Sequence, residues 1–329
     1  MRTAVLCCLL PAVLLAAVPV LAHHGVAAVG AVGLEGPGAP IEASSAAPLP
    51  PGSWFTYLKL DHARFRTFTT ARDAETREHD FWMLGAGYGL RSWLALYAFL
   101  PFNVKVQEDN GYNTAGFADP SLFAVVALRH DDGWRLVPTA ESLDDMEDLH
   151  LACYGGATLP LGRENLRDTA GEIDPGLSLG FGEPAFTGGV SLTRFWGDRW
   201  TAVLDVSHLW FREHTYADGV ARRFGDEWHV NAALAVRLLT RPRSRTRWDG
   251  VLELDGLRIG RDETAGMGEP ATGGTVLYLQ PGVRLFHGPA SIAAGVKIPV
   301  ARDLNEQAAQ QGSEGRERYR LVLTWSLLW

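Results

Sequence analysis

Residues 318–329 read RYRLVLTWSLLW. From Tyr319 the odd positions carry Tyr319, Leu321, Leu323, Trp325, Leu327 and Trp329. The even positions carry Arg318, Arg320, Val322, Thr324, Ser326 and Leu328. Successive side chains of a strand point to opposite faces, so this is a strand with one apolar face and one mostly polar face. A soluble sandwich and a membrane barrel both produce such a strand, and the rest of the chain has to choose between them.

Working back from that strand, short alternating segments recur as far as Ser53. They lie near 53–65, 79–90, 93–103, 117–129, 149–159, 184–195, 200–212, 226–239, 248–259, 274–286, 290–299 and 318–329. "RS" (91–92), "WGDR" (196–199) and "HGP" (287–289) are tight links. Segments 104–116, 160–183, 213–225, 260–273 and 300–317 are long and rich in Gly, Asp, Glu and Arg. Short turns at one end and long loops at the other are the asymmetry of an outer-membrane barrel. The expected fold is therefore all-β: a transmembrane, antiparallel, up-and-down β-barrel of about twelve strands. One short-side connection, 130–148, is long, and its "SLDDMEDL" suggests a brief periplasmic helix. After Ala22 no apolar run reaches the roughly 18 residues that a spanning helix needs, which does not argue against strands that cross by alternation.

The aromatic residues offer a second test. Trp93, Trp196, Trp200, Trp248 and Trp329 fall where strands meet short turns. Trp82, Phe102, Trp210 and Trp228 fall toward the long loops. Two such bands form the girdles of a membrane barrel, whereas a sandwich core would place its aromatics mid-strand. The clearest alternations also sort the faces. Trp228, Val230, Ala232, Leu234, Val236 and Leu238 are expected to face lipid, against His229, Asn231, Ala233, Ala235 and Arg237 inside. Leu252 and Leu254 oppose Glu253 and Asp255, and Leu277, Leu279, Val283 and Leu285 oppose Tyr278, Gln280 and Arg284. A charge on the lipid face at mid-membrane costs about 2–4 kcal/mol, so these charges imply a wet lumen. The expected lumen-lining residues are His229, Asn231, Arg237, Glu253, Asp255, Tyr278, Arg284, Arg318 and Arg320.

The other end of the chain sets the compartment. Arg2 precedes an uncharged run from Ala4 to Ala22, and Val20-Leu21-Ala22 places small residues before His23. This is the pattern of a secretory signal peptide cleaved after Ala22. Removing residues 1–22 leaves 307 residues, takes Cys7 and Cys8 away and shifts the formal charge from −8 to −9. With Cys153 alone remaining, no internal disulfide holds the fold. An acidic balance without basic blocks gives no reason to expect a nucleic-acid partner. Three parts follow: a signal peptide (1–22), an irregular leader rich in Gly, Pro and Ala (23–52) and the barrel (53–329). The leader either enters the lumen as a plug or hangs in the periplasm.

An even strand number puts both barrel ends on the short-turn side, and the last strand must pair with the first because lipid tolerates no open edge. A terminal aromatic at that rim resembles the signal by which such barrels are recognised for insertion. The expected partners are outer-membrane lipid, the barrel-assembly machinery through the strand ending at Trp329, and a small-molecule solute.

Three phrases echo one another. "GFADP" (116–120), "GFGEP" (180–184) and "GMGEP" (266–270) each introduce a descending strand, and "LP" or "IP" closes ascending strands at "FLPF", "TLPLG" and "KIPV". Together with "LALYAFLPFNVKVQEDNGYNTAGFADPSLFAVVALR" and "YGLRSWLAL", they make the chain resemble the outer-membrane proteins named after meta-pathway phenol degradation. The resemblance covers about 53–329 and implies a porin-like barrel in a Gram-negative outer membrane, with a transport role for small solutes such as aromatic or hydrophobic compounds. It carries no catalytic residues to transfer, and acid-Pro replaces the plainer Gly-Asp of many members.

Two further chemistries have residues that could carry them. "HHG" (23–25) would give a cleaved chain an α-amine and imidazole at His23 that together suit Cu(II) or Ni(II), with His24 adding a second ring. The plainer reading is two histidines after a signal site, with no cofactor. On the first reading the barrel is an anchor for a metal-handling or envelope-interaction protein. Catalysis has less support. Ser207 and His208 are adjacent and so face opposite sides of a strand, no Gly-x-Ser-x-Gly elbow occurs, and nothing in the spacing of His150, His229 and the lumen acids requires a triad.

Overall fold

The computed structural model describes residues 39–65, 76–107, 113–139, 148–167, 171–305 and 316–329. Twelve long strands follow one another: β1 (Trp54–Phe65), β2 (Thr76–Arg91), β3 (Leu94–Gln107), β4 (Ser121–His130), β5 (Leu149–Thr158) and β6 (Ala185–Trp196). Then come β7 (Trp200–Trp210), β8 (Glu227–Arg241), β9 (Thr246–Ile259), β10 (Gly274–His287), β11 (Ala290–Leu304) and β12 (Glu317–Leu328). Each pairs antiparallel with its chain neighbour, and β1 pairs with β12 from Phe55↔Leu328 to Arg64↔Tyr319. Trp54 and Trp329 exchange backbone hydrogen bonds at the seam, at 2.6 and 2.9 Å. The sheet is closed, so the long strands leave no free edge between them.

The alternation does what the sequence expected of it. On β1, Phe55, Tyr57, Lys59, Asp61, Ala63 and Phe65 are buried, while the residues between them are more exposed. On β8, Trp228, Val230, Leu234 and Leu238 are exposed, and Asn231, Ala233 and Ala235 are buried. Exposed Leu84, Leu204, Leu252, Leu254, Ile292, Leu321 and Leu323 continue the apolar outer surface around the barrel. Trp54, Trp196, Trp200, Trp248 and Trp329 are exposed at the short-turn end, and Phe117, Trp210 and Trp228 toward the long loops. Along β8, Trp228 lies eight residues from the register partner of Trp200. That is about 27 Å of strand, or about 20 Å of height after a tilt near 40°, close to the apolar band of an outer-membrane barrel.

Three features depart from the simple alternating pattern. The connection read as 104–116 is partly strand: β3 runs on to Gln107, and Asn113–Phe117 pairs with its far half before Ala118-Asp119-Pro120 interrupts β4. Trp134–Leu136 folds back on β4 in the long short-side connection, and 140–147, which includes most of "SLDDMEDL", lies outside the described residues. The long loops are also joined. His214–Thr215, Ala221–Arg223, Glu263–Thr264 and Met267–Gly268 make a small second sheet linking the β7–β8 and β9–β10 loops. Phe181, Phe211 and Phe224 pack beneath them with ring centroids 4.8–5.7 Å apart.

The acid-Pro phrases belong to this loop architecture. The Asp119 carboxylate of "GFADP" accepts from the backbone N–H of Gly162 at 2.6 Å and of Phe181, in "GFGEP", at 2.7 Å. One acid thereby pins both ends of the 159–184 loop.

Candidate functional site

The barrel interior is filled by two contributions, and only one comes from the strands. The first is an aromatic band toward the short-turn end. Phe55 and Tyr57 on β1, Phe81 on β2, Tyr97 and Phe99 on β3 and Phe123 on β4 all point inward and are buried. The rings of Phe55, Tyr57, Tyr97, Phe99 and Phe123 meet edge-on or stacked, with centroids 6.0–6.4 Å apart. Inward glycines at 85 and 87 lie directly opposite Phe99 and Tyr97 of β3, where a side chain would strike the rings.

The second contribution is the leader. Ala39, Ile41, Ala43, Ala46, Ala47 and Leu49 are buried inside the barrel, and Ala46, Ala47 and Leu49 pack against the aromatic band. This segment has no regular structure, so its backbone donors and acceptors need partners from the wall. Glu253 accepts the N–H groups of Ile41, of Glu42 (3.1 Å) and of Ala43 (2.9 Å). Thr193 Oγ1 accepts from the Ala46 N–H at 2.9 Å, and the Ser191 hydroxyl donates to the Ser44 carbonyl. Arg284 donates to the Pro40 carbonyl at 2.5 Å and to Ser291 Oγ at 3.1 Å. The close approach depends on missing side chains. A Cβ at Gly89 would collide with the Pro50 carbonyl and lie 2.8 Å from that of Leu49, and one at Gly282 would strike Ile41. Glycine at these two wall positions makes the seat.

Where the leader crosses mid-lumen, charges converge. Glu42 lies 2.6 Å from Lys59 Nζ of β1 and 3.3 Å from Lys297 Nζ of β11. Lys297 also lies 3.4 Å from Asp255 and 5.0 Å from the centroid of the Tyr278 ring. Nearby, Arg320 contacts Glu317 at 2.8 Å and Asp61 at 3.4 Å, and the Tyr278 hydroxyl donates to Glu317 at 3.0 Å. Buried ions at this density persist only as matched sets, because an unpaired charge away from water costs several kcal/mol.

The residues named from the sequence as lumen-lining are placed as follows. Asn231, Glu253, Asp255, Tyr278, Arg284 and Arg320 are buried inside. His229 is part-buried with Nε2 3.1 Å from Glu227, and Arg237 lies over the inward Phe195 ring at 5.8 Å. Arg318 does not belong to the set. The β1–β12 register passes from Arg64↔Tyr319 to Phe65↔Glu317, so Arg318 is the extra residue of a bulge and is exposed, while Glu317 takes the inward place. His23 and His24 lie outside the described residues, and among those described no cluster of His, Cys, Asp and Glu could hold a metal ion. His208 stacks on Trp228 at 4.2 Å on the outer face, whereas its neighbour Ser207 alternates to the inner side.

Sequence reasoning missed Glu42, Lys59 and Lys297. The rule that singled out Arg284 and Glu253, a charge in mid-strand, applies equally to Lys59 in "TYLKLDH" and to Lys297 in "AAGVKIPV". Nothing local marks Glu42, which matters only through what it meets across the lumen.

This architecture is shared with a solved structure. The chain is similar to the COG4313 outer membrane channel from Pseudomonas putida F1, with a TM-score of 0.66 at 14% identity over 86% of this chain and 98% of that one. It also aligns with the beta domain of the Bordetella autotransporter BrkA, with a TM-score of 0.42 at 11% identity over 85% of this chain and 100% of that one. No curated protein matches it. The family expected from the acid-Pro hairpins is the one found: the chain belongs to the family described as the putative MetA-pathway of phenol degradation, whose model matches residues 67–314.

Proposed function

We propose that this protein is an outer-membrane channel for small, largely apolar solutes, aromatic ones included, and that its own leader closes the pore in the state described. The observation that carries this reading is the source of the lumen filling. A barrel serving only as an anchor can fill its interior with wall side chains, as small barrels do. Here the wall supplies an aromatic surface, and small residues of a separate, irregular segment cover it. The leader is held by side-chain contacts to the wall and runs on through Pro50 into β1. Displacing it would expose a passage lined by aromatic faces and edged with polar groups, the usual make-up of a small-molecule site.

The two aromatic girdles and the apolar outer surface support outer-membrane lipid as the surrounding solvent. The rim position of Trp329, hydrogen-bonded into the seam, supports recognition of the last strand during barrel assembly. The opposed faces of Ser207 and His208 favour transport over catalysis.

The test is conductance in planar bilayers. The mature protein is expected to be mostly silent with brief openings, and a variant lacking residues 39–47 to conduct steadily. A heat-modifiable, correctly inserted variant that stays silent would refute the channel.

A further inference from the structure

We propose that Lys59 and Lys297 form a carboxylate-binding site in the lumen, that Glu42 occupies it in place of a solute, and that the preferred solutes are small organic acids with an apolar or aromatic body. This rests on the channel reading above and deepens it by naming the solute's head group.

The first argument is an asymmetry in how the buried charges are matched. Elsewhere in the lumen the wall neutralises itself: Arg320 with Asp61 and Glu317, and Arg247 with Asp249 at 2.6 Å. Lys59 is different. It is 1% exposed, and among the described residues Glu42 is the one acid within ion-pairing distance of it. Its counter-charge therefore comes from the removable segment, not from the barrel. If holding the wall together were its purpose, a wall acid would serve. When the leader leaves, a desolvated ammonium is left facing the passage, and such a charge recruits an anion or pulls in water at considerable cost. Rings and pairs of basic side chains are the usual device of anion-passing pores.

The second argument is what lies beside the cations. Lys59 and Tyr57 share the inner face of β1, and the register partner of Lys59 is Met83, a member of the aromatic cluster. Lys297 sits over the face of Tyr278. A ligand whose carboxylate spans the two ammoniums would thus lay its body along aromatic rings, where apolar area and ring contacts add affinity. The leader presents this same combination: the Glu42 carboxylate, then the small apolar groups of Ala46, Ala47 and Leu49 against the rings. It is a stand-in supplied by the protein's own side chains.

Asp255 and Glu253 oppose this preference. Asp255 already pairs with Lys297, and Glu253 loses its backbone donors when the leader departs. Asp255 also acts on Lys59, but from beyond ion-pairing distance, so Lys59 is the cation that loses its one direct ion-pair partner with the leader, and selectivity should depend on Lys59 most.

The experiment uses the full mature chain in planar bilayers at neutral pH, with a tenfold gradient of sodium benzoate or of benzylammonium chloride. Reversal potentials should show benzoate passing several-fold more readily than sodium, and chloride more readily than benzylammonium. Lys59→Gln should lower the benzoate preference about tenfold, and Lys59→Arg should restore most of it. In a second measurement, a cysteine placed at Ala46 in a Cys153→Ser background should react with a water-soluble maleimide several-fold faster when benzoate is added. Benzylammonium at the same concentration should leave that rate unchanged, and heat-modifiable migration separates a folded but insensitive Lys59→Gln protein from a misfolded one. Open channels that prefer sodium or benzylammonium, or a preference indifferent to Lys59, would overturn the carboxylate site and leave the channel standing. Silence in every electrolyte would overturn the channel and this site with it.

Discussion

Replacing Glu253 by Gln tests the seat of the leader with little change in volume. The two carboxylate oxygens now receive three adjacent backbone N–H groups, those of Ile41, Glu42 and Ala43. A glutamine offers one carbonyl oxygen and turns an NH2 group toward the remaining N–H. A buried donor left without an acceptor costs about 1–3 kcal/mol, and the surviving bonds lose their charge assistance. Part of that loss is offset because a neutral side chain is easier to bury beneath the seated leader. The net weakening is about 2–3 kcal/mol, which raises the displaced population about 30- to 150-fold. Maleimide labelling of a cysteine at Ala46 reads this directly. Ala46 is fully buried with its N–H on Thr193, and Cys153, exposed on the outer surface, is first changed to Ser. Labelling of Glu253→Gln should be faster by that factor while heat-modifiable migration stays normal. An unchanged labelling rate would refute the claim that this carboxylate holds the leader.

Two further outcomes follow from the wall and the loops. Leu234→Arg places a charge on the lipid face at a cost of about 2–4 kcal/mol and should sharply reduce the folded protein recovered in membranes, whereas Ala233→Arg on the inner face should be tolerated better; equal yields would mean that the register is displaced by one residue. Asp119→Ala removes the acceptor of two backbone N–H groups and should weaken the hold on the 159–184 loop by about 2–4 kcal/mol, seen as faster proteolysis at Arg163 or Arg167 with the barrel intact.

How much of this was legible in the sequence depends on the range over which each feature is determined. The strands and their faces were, because alternation is a local property that lipid enforces on every strand: Leu234 out and Ala233 in can be read from eight residues. Arg318 was misread because a bulge shifts the pattern by one residue, and bulges depend on the neighbouring strand. The path of residues 39–50 was not legible for a related reason. Its composition is that of a loose linker, and its order comes from glycines at 89 and 282 and an acid at 253, more than 200 residues away in two of the three cases. The inner aromatic band was hidden by the outer one. Phe55, Tyr97 and Phe99 lie in segments read as strands, but their faces were not sorted, and aromatic residues alone do not say which side of a wall they occupy.

A leader displaced from the lumen, as proposed above, stays attached to the molecule. It continues through Pro50, whose carbonyl accepts from Ser53 Oγ at 2.6 Å, and Gly52, at φ 77° and hydrogen-bonded to Gly89, into β1 at the sealed seam. Twelve flexible residues, 39–50, explore a radius of about 20 Å. Confinement in so small a volume gives the tethered segment an effective concentration in the millimolar range. Any solute that takes its place therefore competes with an intramolecular rival present at constant strength, whatever the dilution of the protein or the density of channels in the membrane. On the channel reading proposed above, the protein would act as a threshold device: dilute solute would meet a shut pore, and throughput would rise once the external concentration rivals that of the tether. Lengthening the stretch between Leu49 and Trp54 would lower the threshold without altering a single contact in the lumen.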